Sequence, residues 1–238
     1  MINRFFLLLM ATLWVFAGFG QGFGTKNGPW QSTYPDGSLK SKGQFKNDVP
    51  YGEFVYFYKS GKTKATMDYR DNGKIAYNTS LYESGQLMAQ GKYLNQLKDS
   101  IWSYYGDSTN QLISTETYRM GVLDGESITY YPGTKQPTEI VIYQQGKKQG
   151  PLKKFFPDGS VMTDGQYKND QLDGPFTLYY PDGKIQLKGT YTKGSQTGDW
   201  KYYNDKGEEM DYEDFVKQSV HPIEASDPDN GKLKISPY

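Results

Sequence analysis

Apolar positions along this chain fall in short alternating runs rather than on a helical period, and the runs recur. The phrase Gly174-Pro175-Phe176-Thr177-Leu178-Tyr179-Tyr180-Pro181-Asp182-Gly183 returns as Gly150-Pro151-Leu152-Lys153-Lys154-Phe155-Phe156-Pro157-Asp158-Gly159, and more loosely from Gly52 to Gly61. The last aromatic of each copy falls at Tyr34, Tyr58, Tyr82, Tyr105, Tyr131, Phe156, Tyr180 and Tyr203, with successive gaps of 24, 24, 23, 26, 25, 24 and 23 residues. A fixed period of roughly 20–50 residues belongs to repeat architectures, in which each unit buries its apolar face only by stacking on its neighbours.

The second half of the unit is as regular. Gly165-Gln166-Tyr167-Lys168-Asn169-Asp170 matches Gly189-Thr190-Tyr191-Thr192-Lys193-Gly194, with earlier copies at Gly43 to Asp48 and Gly91 to Asn95. Runs of Tyr, Phe, Val, Thr and Ile bounded by Gly, Asp, Asn and Pro predict strands. Pro-Asp-Gly joins two of them as a hairpin, because Pro presets the first turn dihedral and Gly takes the left-handed one that a bulged hairpin needs. Lys-Asn-Asp and Lys-Gly pieces turn the chain back between repeats. No helical period is present from Trp30 to Lys206. The predicted fold is all-β: an elongated, single-layer antiparallel β-meander of stacked hairpins of about 24 residues each. It runs over residues 28–207 as about seven repeats after a leading half-repeat. Copies degrade in places. Met67 and Ala76 stand where the second unit should have glycines, and Asp99 does so in the third.

The unit Gly-x-Trp/Phe-x-x-Tyr-Tyr…Gly-x-Leu…Gly-x-Tyr, clearest from Gly150 to Tyr203, resembles the bacterial variant form of the MORN-type repeat. The stricter form, with its Tyr-x-Gly-x-Trp core and later His-Gly pair, is not met, since the only histidine is His221. The resemblance implies an elongated, slightly curved sheet of stacked hairpins and implies no activity. Bacterial members often carry antitoxin or immunity labels, so it also implies neutralisation of a partner toxin as one specific role.

The two ends differ from the array. Arg4 precedes an apolar run from Phe5 to Phe19, followed by Gly20 and Gln21. This is the pattern of a secretory signal peptide over residues 1–20 and predicts an exported protein, periplasmic, outer-surface or secreted. The run falls short of the ~20 apolar residues that span a bilayer, which leaves a retained anchor as the alternative. At the other end, Glu208 to Gln218 has acidic residues early and Lys217 late, the charge order of a short helix. It is predicted to cap the open end of the array, with a disordered tail over 219–238.

Composition narrows the chemistry. There is no cysteine, which excludes disulfides and thiol ligands, and 22 Tyr with 12 Phe are available to pair across strands. Charge balances at 27 basic against 27 acidic residues, leaving no surplus to neutralise phosphates, which argues against nucleic acid and anionic membranes as partners. The turn carboxylates Asp36, Asp158 and Asp182 would line one sheet edge, but one carboxylate per turn is too sparse for a calcium shell. Glu208-Glu209 and Glu213-Asp214 are adjacent in sequence rather than facing across a cleft, and His221 has no nucleophile or second ligand beside it. The glycines belong to hairpins and not to phosphate loops. These features predict a non-enzyme without cofactor or metal.

The aromatic ladders carry the functional expectation. Side chains alternate between sheet faces, so the terminal aromatic pair of each unit should form two columns. One contains Phe57, Tyr104, Tyr130, Phe155, Tyr179 and Tyr202; the other, the candidate binding column, contains Tyr58, Tyr105, Tyr131, Phe156, Tyr180 and Tyr203. The function expected is an exported, non-enzymatic scaffold that binds a partner macromolecule, foremost a protein, through an aromatic-lined face. Carbohydrate or cell-envelope binding is the alternative, since Gly198 to Gly207 resembles the Gly-x-Trp-Tyr-Tyr phrase of choline-type wall-binding repeats. Only Trp30, Trp102 and Trp200 lie within the array to support it.

Overall fold

Two kinds of turn alternate along the chain, and each is specified by its residues. In the computed structural model, which describes residues 25–218, the first kind closes every repeat. At Phe156 to Ser160 the Gly159 N–H donates to the Phe156 carbonyl at 2.9 Å, and the Phe156 N–H donates to the Ser160 carbonyl at 2.9 Å. Gly159 has φ 90°, so this is a type I turn followed by a glycine bulge, as the Pro-Asp-Gly phrase predicts. The second kind joins repeats through two residues that both have positive φ, such as Asn47-Asp48 (52° and 64°) and Asn169-Asp170 (50° and 68°). These angles match the right-handed strand twist of a two-residue hairpin.

The strands between them are β1 (Gly28–Thr33), β2 (Leu39–Lys46), β3 (Val49–Phe57), β4 (Thr63–Arg70), β5 (Ile75–Leu81) and β6 (Leu87–Leu94). Then come β7 (Leu97–Tyr105), β8 (Leu112–Arg119), β9 (Val122–Tyr130), β10 (Pro137–Gln144), β11 (Lys147–Phe155) and β12 (Val161–Lys168). The array ends with β13 (Gln171–Leu172), β14 (Gly174–Tyr179), β15 (Ile185–Thr192), β16 (Ser195–Tyr203) and β17 (Glu209–Met210). All belong to one 17-stranded sheet, each pairing antiparallel with its chain neighbours; β13 and β14 together form one interrupted strand beside β12. The predicted meander is therefore the fold. The stretch read as a cap first contributes β17, which pairs with Tyr202 and Tyr203, and then forms α1 (Tyr212–Gln218). Asp211 caps that helix by accepting from the Asp214 N–H at 2.9 Å, and buried Phe215 packs on Tyr202 with ring centroids 5.0 Å apart. The predicted signal peptide, tail and His221 lie outside the described residues.

The structure corrects the alignment of the aromatics. The residue that opens each closing turn is Tyr34, Tyr58, Tyr82, Gly106, Tyr131, Phe156, Tyr180 or Asn204, since these donate N–H across the turn. Their gaps are 24, 24, 24, 25, 25, 24 and 24. Tyr105 and Tyr203 stand one place earlier than the column they were predicted to join. The two 25-residue gaps arise where the turns Gly106 to Gln111 and Tyr131 to Gln136 are one residue longer. The glycine missing from the third unit is likewise replaced by Ser100, at φ 62°, and not by Asp99.

Six first strands also carry a bulge, at Gly52, Ser100, Gly125, Gly150, Gly174 and Gly198, all with positive φ. Ala76 occupies this place in β5, where a Cβ disfavours that conformation. There the bulge is absent, the β4–β5 register runs unbroken from Arg70↔Ile75 to Ala65↔Ser80, and the preceding turn lengthens to Asp71-Asn72-Gly73-Lys74. Residues lost from the bulge reappear in the turn, so the period stays in step.

The core lies on one face. Phe54, Ala76, Ala89, Trp102, Val141, Leu152 and Leu187 are buried there, together with Ser41, Asn78, Glu116 and Thr163. A one-layer sheet reaches this burial by fitting a plug into a seat. The Phe54 ring covers Gly43, Trp102 covers Gly91, Phe176 covers Gly165 and Trp200 covers Gly189, so that a Cβ on these glycines would meet the ring at 2.4, 2.2, 2.9 and 2.3 Å. Seat and plug are always 11 residues apart. Where the seat is filled, as at Met67, Glu116 and Val141, the plug shrinks to Asn78, Ser127 and Leu152. Edge-to-face contacts at 4.8–5.4 Å then link Trp30, Phe45, Phe54 and Tyr69, Tyr93 with Trp102, and Phe176, Tyr191 and Trp200.

Candidate functional site

The aromatic column predicted to bind is engaged within the array. Tyr58, Tyr131 and Tyr180 donate their hydroxyls to the carbonyls of Leu81, Phe155 and Tyr203, each at 2.8 Å, and Tyr34 and Tyr82 donate to Phe57 and Tyr105 at 2.7 and 2.9 Å. Each bond runs from the turn of one repeat to the last strand residue of the next first strand. Tyr105 and Tyr203 thus act as acceptors, and Phe156 has no hydroxyl to give. Burial raises the phenols of Tyr58, Tyr82, Tyr131 and Tyr180 above their ordinary value. The turn carboxylates have local roles too. Asp36 and Asp158 accept from the hydroxyl and N–H of Ser38 and Ser160, and Asp182 accepts from the Lys184 N–H and pairs with its ammonium at 2.8 Å. These hydrogen bonds hold all three carboxyls below the usual range.

Midway along the core face the aromatic packing gives way to a polar cluster. Lys98 lies over the rings of Trp102, Tyr104 and Tyr118 at 4.7, 5.1 and 4.8 Å, and donates to the Tyr104 hydroxyl at 2.6 Å. Tyr118 contacts Tyr104 at 3.5 Å and donates to the Glu116 carboxylate at 2.6 Å. Burial lowers the Lys98 ammonium, with Glu116 pulling the other way, and burial pushes Tyr104 and Tyr118 up. The members satisfy one another, so the cluster fills the filled-seat position of Glu116 as a closed network.

The opposite face presents a surface that column reasoning missed. One cross-strand row runs Gln31, Lys42, Val55, Thr66, Thr79, Gln90, Ser103 and onward to Thr115, Ile128 and Ile140. It continues through Lys153, Asp164, Thr177, Lys188 and Lys201. From Val55 to Ile140 the row carries no charge and is mostly β-branched, while Lys42 bounds it on one side and Lys153 on the other. Ile101, 62% exposed, stands beside Ser103 on this face and pairs with Thr117. Among the described residues the exposed large hydrophobics are Tyr51, Tyr77, Leu97, Ile101, Ile113, Met120, Val122 and Tyr212, and six of these eight lie between Tyr77 and Val122. The signal was present in the sequence as Val, Thr and Ile at the outward centre of successive strands, where Lys stands in the flanking repeats. It became readable only once bulges and turns fixed which residues share a face.

Fold and surface together define a repeat scaffold, a one-layer β-meander whose units stack through plugs, seats and tyrosine hydroxyls. Residues 26–47, 148–169 and 172–193 match the MORN repeat variant family, so these segments are MORN variant repeats, and the common register extends their geometry to the intervening hairpins. Nothing among curated proteins matches the chain.

Proposed function

We propose that this protein is an exported, non-enzymatic scaffold that binds a partner protein through the uncharged Thr79-to-Ile140 row on the outer face of β5 to β10. The observation that carries this reading is the concentration of exposed Ile and Tyr side chains beside an uncharged, β-branched row, with charged residues bounding it on both sides. A contiguous exposed apolar surface with a polar border is the surface type that protein partners cover. An uncharged, β-branched row flanked by exposed Ile and Tyr fits a folded partner with a complementary apolar patch. The tryptophans that sugar stacking would use are packed on Gly91 and Gly189 in two of three cases, which favours protein over glycan. The leader-like residues 1–20 support export, and the family resemblance makes neutralisation of a secreted toxin the specific form of the proposal.

The test is capture from envelope and secreted fractions of the native host with wild type, Ile101→Asp, Ile128→Asp and Tyr58→Phe proteins. One stoichiometric protein is expected on wild type and Tyr58→Phe, and is expected to be lost with either Asp variant while circular dichroism stays unchanged. Retention by both Asp variants would place the interface elsewhere, and retention of wall glycan alone would replace a protein partner with the carbohydrate reading.

A further inference from the structure

Wherever the plug of an internal first strand is aromatic, it lies on a seat glycine of the strand before it, as Phe54, Trp102, Phe176 and Trp200 do. At the start of the array this rule is left incomplete. Trp30 is the plug of β1, in edge contact with Phe45 at 5.4 Å, and β1 pairs with β2 alone among the described residues. Its other edge matches the edges that internal first strands use. In β3 the positions one and two residues beyond the plug Phe54, Val55 and Tyr56, pair with Lys42 and Ser41 of the preceding strand. Gln31 and Ser32 are the equivalents in β1, 24 residues earlier.

Pro29 does not block this edge, although proline commonly protects edge strands. Pro151 and Pro175 hold the same place in β11 and β14, and those strands pair on both sides, because the missing N–H falls at the bulge. We infer that the edge of β1 that no described residue pairs is a strand-addition site for an antiparallel segment of another protein carrying Gly-x-aromatic. Its glycine would lie under Trp30 and its aromatic would pack edge-on against the ring, as Gly43 and Phe45 do for Phe54.

Two other occupants fit less well. A second copy stacked head to tail would have to meet the outer edge of β16, where β17 already pairs at Tyr202 and Tyr203, and would set Trp30 against Trp200 with no glycine between them. The chain's own preceding residues carry Phe19, not glycine, at the 11-residue spacing that every internal seat keeps.

The probe is a labelled peptide of residues 161–170, Val161 to Asp170, whose Gly165 and Tyr167 supply the motif in its native register. Anisotropy titration against the full chain is expected to show saturable binding. A peptide with Gly165→Val should bind roughly tenfold more weakly or worse, as one ring seat is replaced by a clash. The same loss is expected for the native peptide against a Trp30→Ala protein, while the peptide variant leaves the protein's own folding untouched. Equal binding of both peptides would overturn the inference. So would no binding by the full chain, including the case in which residues 1–24 hold the edge.

Discussion

A hydroxyl decides how firmly one repeat is tied to the next. Five turn tyrosines donate to the following repeat, but Gly106 and Phe156 leave two joints without this bond. Phe156→Tyr should supply the missing donor to the Tyr179 carbonyl, since Tyr180 makes the equivalent bond to Tyr203 at 2.8 Å. A net intramolecular hydrogen bond contributes about 0.5–1.5 kcal/mol, so chemical denaturation should show a gain of that size, and Tyr58→Phe a similar loss. An unchanged midpoint for both would remove the hydroxyl from the account of the joint. The buried phenols make a second demand. Burial raises Tyr69, Tyr104 and Tyr118 in the folded chain, so their stabilisation is complete below the unfolded value near 10.0 and is lost as pH rises above it. Lys98 acts in the opposite sense, because burial lowers it and its cost is relieved as it deprotonates, but it is one group against three. Melting temperature should therefore fall between about pH 9 and 11. A flat profile with phenolate absorbance appearing in the folded protein would show the rings to be open to solvent.

Turns and bulges are the elements that convert this sequence into a register. Their positions were largely legible, because Pro-Asp-Gly and Asn-Asp name their dihedrals, and the all-β meander followed from them. The columns were not. The bulge at Gly52 and its equivalents changes which neighbours oppose one another, and two turns are a residue longer, so counting back from the last aromatic placed Tyr105 and Tyr203 one position off. The 11-residue pairing of Gly43 with Phe54 was present throughout, yet it spans a turn and a bulge, and only the structure shows that it is a contact. One turn keeps a local conflict. Met120 adopts φ 49° in the β8–β9 turn, where Asn47, Asn95 and Asn169 serve elsewhere, and its side chain is 47% exposed. A bulky residue there pays a steric cost that Asn largely avoids. Met120→Asn should stabilise by about 0.5–1 kcal/mol in urea unfolding, and Asn95→Met should cost a similar amount. No change in either would mean that side chain–backbone contacts, not φ, set turn strength.

At the scale of the molecule, stability is a sum of like joints, and the parity of the sheet is what a joint protects. The candidate surface emerged only at this scale, since no single residue in Val55 to Ile140 announces it and an uncharged row is a property of neighbouring strands taken together. The same logic sets a sharp test. Deleting Gly165 to Lys188, 24 residues, joins Asp164 to Gly189, so a seat glycine replaces a seat glycine and Trp200 still finds its place. The product should fold as a shorter array with a proportionally smaller denaturant m-value, and it should retain the partner, because β5 to β10 are untouched. Deleting Gly165 to Leu187 removes 23 residues and puts Lys188 on the seat. Every side chain beyond it then turns to the other face, sending Trp200 to solvent and Lys201 to the core. This second protein should lose its folded C-terminal strands, as read by hydrogen exchange from residue 189 onward, while protection up to β11 persists. Equal protection in both deletions would mean that the array tolerates a face inversion, and that seats and plugs do not hold the joints together.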